Sequence, residues 1–205
     1  AVSRDTRLIL TNALYFYGTW SNVFDVKNTK NAAFHTSTEN TVFVPMMANS
    51  AGYPNGKGDM FQIVEIPYIG NEITMTVIIP EEGKLADIRN MANSDWLADA
   101  LESINVFGEA RLTFPKFSFT WGSHFLKEQL ISLGMVDAFE KDTSNFSGIN
   151  NTEKLFINDV VHQAFIGVDE YGTEAAAATA VIMDGYTSVP PEIVVDRPFL
   201  FFIRN

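Results

Sequence analysis

Apolar and polar residues change period several times along this chain, and the changes mark out its elements. Residues 8–16 form an apolar run that reads as a strand and ends at Gly18-Thr19-Trp20. Residues 22–40 are polar and read as loop, and residues 42–47 as a short strand. Residues 51–58 are dense in turn formers and read as a turn. Two alternating or β-branched runs, 61–66 and 73–79, flank Tyr68-Ile69-Gly70-Asn71 and predict a hairpin, which Pro80-Glu81-Glu82-Gly83 ends. Helical spacing covers 85–90 and 95–104, with Ser94 as the N-cap of the second helix. Pro115-Lys116 separates strands at 110–114 and 117–121. Ser123 then reads as the cap of a helix carrying Phe125, Leu126, Leu130 and Leu133 on one side and stopped at Gly134. A strand over 155–170, with its long central part through 160–168, leads to a last strand at 199–203. The class is α+β, dominated by mostly antiparallel sheet.

Between those two strands lies a run of small residues, Gly172-Thr173-Glu174-Ala175-Ala176-Ala177-Ala178-Thr179-Ala180-Val181. Propensity alone predicts a short alanine helix. Read as a strand, Thr173, Ala175, Ala177, Thr179, Val181 and Met183 fall on one face. Glu174, Ala176, Ala178, Ala180, Ile182 and Asp184 fall on the other. A segment that satisfies both readings suits a loop that later becomes a strand.

Composition narrows the possible functions. The chain has 205 residues, 46% of them hydrophobic, and seventeen are Phe, which predicts a sizeable core built on aromatic packing. The net charge of -11 disfavours nucleic acid and anionic membranes. Cysteine is absent, which excludes disulfides, thiol catalysis and thiolate metal sites. No apolar run reaches the roughly 18–20 residues that span a bilayer. Both ends read as cut through strands, as in a piece of a longer chain. The three histidines, His35, His124 and His162, show no metal-ligand spacing, and no nucleophile elbow is present. No cofactor is called for, and no nucleophile–base pair suggests an enzyme. His162, inside an apolar strand, reads as a hydrogen-bonded core residue. Asn145-Phe146-Ser147 and Asn150-Asn151-Thr152 are N-glycosylation sequons, meaningful in a secreted chain.

The segment Glu170-Tyr171-Gly172-Thr173-Glu174-Ala175-Ala176-Ala177-Ala178-Thr179 resembles the proximal hinge of the reactive-centre loop in inhibitory serpins. Four further motifs fall in that family's order. They are Asn12-Ala13-Leu14-Tyr15-Phe16-Tyr17-Gly18-Thr19-Trp20, Phe114-Pro115-Lys116-Phe117, Phe146-Ser147-Gly148-Ile149, and Asp196-Arg197-Pro198-Phe199-Leu200-Phe201-Phe202-Ile203-Arg204. The resemblance covers essentially the whole chain. It implies a serpin-like fold in its C-terminal portion, lacking the family's N-terminal half and C-terminal strand hairpin, with residues 171–191 as the reactive-centre loop.

The activity so implied is suicide inhibition of an extracellular serine protease. The protease attacks the exposed loop, and the cut loop inserts into the large sheet before the acyl-enzyme hydrolyses. The alternatives are a non-inhibitory carrier or chaperone, and a structural fragment without trapping activity. The family's loop length places the scissile bond at Tyr186-Thr187. Tyr186 implies a chymotrypsin-like target, and a one-residue shift to Thr187 would suit an elastase-like pocket. Small side chains at Thr173, Ala175, Ala177 and Thr179 suit insertion between strands. The likeness further implies a breach cluster of Trp20, Lys116 and Glu170, with a Glu170–Lys116 ion pair, and a shutter pair of Asn12 and His162. A monomer is expected for the full-length protein, outside the cell on family habit and the sequons at Asn145 and Asn150, with an intracellular location as the alternative.

Overall fold

The computed structural model describes residues 8–173 and 190–205. In chain order the elements begin with β1 (Leu8–Leu14), β2 (Gly18–Thr19), β3 (Lys30–His35), β4 (Thr41–Gly52) and β5 (Asn55–Gly58). The hairpin strands β6 (Phe61–Pro67) and β7 (Thr74–Pro80) follow, then α1 (Leu85–Met91), α2 (Ser94–Glu102) and β8 (Ile104–Val106). Next come β9 (Glu109–Pro115), β10 (Phe117–Phe125), α3 (Lys127–Ser132) and the long β11 (Ile157–Val168). The chain closes with β12 (Gly172–Thr173), β13 (Glu192–Val194) and β14 (Leu200–Arg204). It is a sheet-rich α+β fold with three α-helices among the described residues.

The chain divides into two units. One consists of Ala1–Phe16 and Ser118–Ile166, and the other of Tyr17–Phe117 and Gly167–Asn205. In the first, β11 pairs in parallel with β1, Asn12 opposite His162, and also pairs with β10. Helix α3 ends in a Schellman motif: Gly134, at φ +99°, donates its N–H to the Ile131 carbonyl, and Met135 donates to Leu130. Large apolar side chains of this unit's strands stay exposed, among them Leu14, Phe119 and Phe125.

The second unit holds two sheets, ordered β13-β9-β4-β3 and β14-β7-β6-β5-β8, antiparallel throughout except where β13 runs parallel to β9. Strand β7 is buried along nearly its whole length, consistent with a run of β-branched residues packed on both faces. Ile88 of α1 and Ala100 of α2 close over Phe61, Ile63 and Ile78 of the five-stranded sheet. Phe114, Phe117, Phe199 and Phe201 form an aromatic group with ring centroids 5.6–6.3 Å apart. Most of the described core is nevertheless aliphatic or Met, and its buried aromatics, such as Trp20, Tyr53, Phe61 and Phe139, are spread beyond this group.

Several local expectations give way to the structure. The polar stretch 22–40 contains the 3-10 turn Val26–Asn28 and strand β3, an edge strand whose side chains are at most half-buried. Residues 51–58 form the end of β4 and then β5, so Gly56-Lys57-Gly58 is strand and not turn. Its glycines serve close packing: a Cβ on Gly56 would lie 1.9 Å from the Ser103 carbonyl oxygen. Asn93, not Ser94, caps α2, its side chain accepting from the Trp96 N–H at 2.8 Å. Strand β10 continues through residue 125, so the helix after it starts at Lys127 without a Ser123 cap. Ile104 belongs to β8 and not to the preceding helix.

Candidate functional site

Gly172 and Thr173, which open the small-residue run, form β12, held on both sides. Thr173 pairs antiparallel with Val168, and Gly172 and Thr173 pair with Thr19 and Gly18 of β2. Residues 169–172 make the tight turn that brings the chain back. The Asp169 carboxylate accepts the N–H groups of Tyr171 and Gly172 at 2.9 and 3.3 Å, and the Asp169 N–H donates to the Gly172 carbonyl at 2.9 Å. Gly172 sits at φ +157°, and a Cβ there would meet the Gly18 carbonyl oxygen at 2.0 Å. Only glycine allows so close an approach of two backbones.

Trp20 organises the neighbourhood. It is 1% exposed, its indole N–H donates to the Asp169 carbonyl at 2.9 Å, and its backbone N–H donates to Tyr171. Its ring stacks on Tyr68 with centroids 4.5 Å apart and an interplanar angle of 21°. The turn between β6 and β7 places Tyr68 there, and its hydroxyl lies 2.8 Å from the Thr173 hydroxyl. Burial pushes the Tyr68 phenol up, against the opposing effect of that hydrogen bond.

Glu170 is 3% exposed, and its carboxylate is divided between two donors. Lys116 Nζ lies 2.7 Å from Oε2, and the Thr29 hydroxyl donates to Oε1 at 2.8 Å. Burial acts to raise the Glu170 carboxyl. The hydrogen bonds from Lys116, its own backbone N–H and Thr29 outweigh it, so the group lies below the usual carboxylate range. The hydrogen bond to Glu170 raises the Lys116 ammonium. The Phe24 N–H donates to the Glu170 carbonyl, tying the turn to the segment after Trp20.

Trp20, Lys116 and Glu170 therefore lie around one turn, joined by Thr29, Tyr68 and Asp169, which sequence reasoning did not single out. Nothing local marks those three; they converge from positions up to 140 residues apart, the separation of Thr29 and Asp169 (169 − 29). Asn12 and His162 meet in the other unit, Nδ1 to Oδ1 at 2.9 Å. His162 is half-buried, and Asn12 beside it is exposed. Both sequon asparagines head Asx turns. The Asn145 side-chain oxygen accepts from the Ser147 hydroxyl at 2.8 Å, and that of Asn150 from the Thr152 hydroxyl at 2.7 Å. Asn145 is exposed and Asn150 half-buried. Glu174, Ala175, Ala176, Ala177, Ala178, Thr179, Tyr186 and Thr187 lie outside the described residues. Among those described, no His, Asp or Glu cluster could hold a metal ion, and no helix is long and apolar enough to cross a membrane.

The serpin (serine protease inhibitor) family model matches residues 1–205. An uncharacterized serpin-like protein of Thermococcus kodakarensis is 39% identical over 204 residues, covering 98% of this chain and 47% of the relative. Plasminogen activator inhibitor 1 of Sus scrofa is 34% identical over 212 residues, covering all of this chain and 52% of the relative. The crystal structure of Serpin48, a highly specific serpin of the insect Tenebrio molitor, superimposes with a TM-score of 0.82 at 28% identity, over 99% of this chain and 54% of that one. Human thyroxine-binding globulin gives a TM-score of 0.86 at 25% identity with the same coverages. The chain spans about half the length of the curated relatives it matches. Matched by the family model from residue 1 to residue 205, the chain belongs to the serpin family.

Proposed function

We propose that the protein carrying this chain is a suicide-substrate inhibitor of a chymotrypsin-like serine protease. Residues 171–191 form the reactive-centre loop of a partial serpin domain, and Tyr186-Thr187 is the bond offered. The protease serine attacks the Tyr186 carbonyl, the Thr187 amine leaves, and Tyr186 stays esterified to the enzyme. The freed loop then inserts as a strand led by Gly172 and Thr173 before water cleaves the ester. The observation that carries the reading is the docked hinge: Thr173 is 1% exposed and already paired with Val168. The side chains that follow on its face, Ala175, Ala177 and Thr179, are small enough to enter between strands. In this reading Trp20, Lys116 and Glu170 guard the entry point, and Asn12 with His162 governs strand opening. The protein acts as a monomer outside the cell, with Asn145 and Asn150 as glycan acceptors.

A non-inhibitory carrier is the second reading, favoured by the likeness to thyroxine-binding globulin. Incubation of the full-length protein with chymotrypsin separates the two. An inhibitor gives an SDS-stable covalent complex and releases a peptide beginning at Thr187. A carrier gives cleaved protein and fully active protease. A cut after Thr187 instead moves the target to an elastase-like enzyme.

A further inference from the structure

The hydroxyl of Tyr68, on the turn between β6 and β7, is buried and meets the side chain of Thr173. Tyr68 is 3% exposed, and its ring is fixed by the stack on Trp20. Its backbone is fixed as well: the N–H donates to the Ile73 carbonyl at 3.0 Å, and the carbonyl accepts from Asn71 N–H and the Ser21 hydroxyl. The neighbouring Ile69 N–H donates to Thr19, next to the residues that pair with β12. The hydroxyl is thus presented from a rigid frame, and it meets Thr173 Oγ1 at 2.8 Å. Thr173 is the second residue of the small-residue run, and its pairing with Val168 is the first antiparallel rung after the turn.

We infer that the Tyr68 hydroxyl is a positioning group that keeps this first rung closed, so that loop insertion starts from a docked hinge. The inference rests on the inhibitor reading above and adds a residue to it. Closing the first pair of a two-stranded ladder carries the entropy of ordering the turn, and each later pair extends what is already aligned. A closed rung therefore speeds insertion relative to the competing hydrolysis of the acyl-enzyme. A buried hydroxyl that loses its partner keeps its desolvation cost, whereas replacing both partners by apolar groups removes that cost. Opening the rung is favoured in either single variant and not in the double one.

The test uses full-length protein in four forms: wild type, Tyr68→Phe, Thr173→Val and the double variant. Tyr68→Phe retains the ring that stacks on Trp20. The readout with chymotrypsin is the number of inhibitor molecules consumed per protease trapped, together with the association rate. Each single variant raises the consumption about fivefold, the ratio a net hydrogen bond of this kind supports. The association rate stays unchanged, and the double variant returns toward wild type. Unchanged consumption in the single variants, or a double variant whose effect is the product of the two, overturns the inference. Hydrogen exchange across Gly172–Thr173 in the uncleaved protein provides a readout that does not depend on trapping. Exchange accelerates several-fold in the single variants and not in the double one. If wild type traps no protease while this exchange pattern holds, the inhibitor reading fails and the Tyr68 latch stands. If wild type traps and exchange is the same in all four, the latch fails alone.

Discussion

Replacing Glu170 by Gln removes one charge from a buried turn while keeping its shape. The carboxylate receives a charge-assisted hydrogen bond from Lys116 at 2.7 Å and a neutral one from Thr29 at 2.8 Å. A bond of the first kind is worth about 1.5–3 kcal/mol when both partners are dry. The Lys116 side chain is 43% exposed, so water and salt screen part of that, leaving about 1–2 kcal/mol. For a chain of this length the loss corresponds to roughly 2–8 °C in melting temperature. The pH dependence separates this pair from a packing effect. The Glu170 carboxyl is depressed in the folded protein, so its contribution is fully present above the unfolded value of about 4.3 and is lost as pH falls through the folded value. Lys116 is raised, so its contribution holds through neutral pH and is lost only as pH rises through its folded value, above about 10.4. Melting curves of wild type and Glu170→Gln from pH 3 to 9 should show the full gap at pH 7, a closing gap below about pH 4, and a smaller gap in 1 M salt. A gap equally wide at pH 3 and pH 7, or none at pH 7, refutes the assignment of stability to this ion pair.

Other substitutions probe the geometry around it. Gly172→Ala drives a Cβ into the Gly18 carbonyl and should cost at least about 2 kcal/mol, read as lost exchange protection at Gly18, Thr19 and Thr173. Asn93→Ala removes the side chain that caps α2 and should cost about 1 kcal/mol in denaturant unfolding, while Ser94→Ala should be nearly neutral. Equal effects of the two would return the cap to Ser94.

The hairpin of β6 and β7 is legible because its β-branched and alternating runs are long enough to carry a strand signal, and both strands are largely buried. Strands β2, β5 and β12 have two to four residues, too few to carry a period; β2 pairs with β12 across the sequence, and β5 has β8 as a partner besides the adjacent β6. Gly56 and Gly58 look like turn chemistry for that reason, when what they supply is room for Ser103 and the Phe61 ring. The site divides in the same way. Trp20, Lys116 and Glu170 could be named from a family likeness, whereas Tyr68 reaches Thr173 only through the turn between β6 and β7.

The reading of residues 172–181 as a strand held in reserve has a direct thermodynamic signature. An inserting loop adds a hydrogen-bonded strand to a sheet and relieves the strain of the uncut state, so cutting the chain should stabilise it. The measurement is the melting temperature of the full-length protein before and after chymotrypsin nicks the loop, with the cleavage point fixed by sequencing the released end. The proposal predicts a cut after Tyr186 and a melting temperature raised by about 10 °C or more, the scale of several kcal/mol. A nicked protein that melts at or below the temperature of the intact one contradicts it.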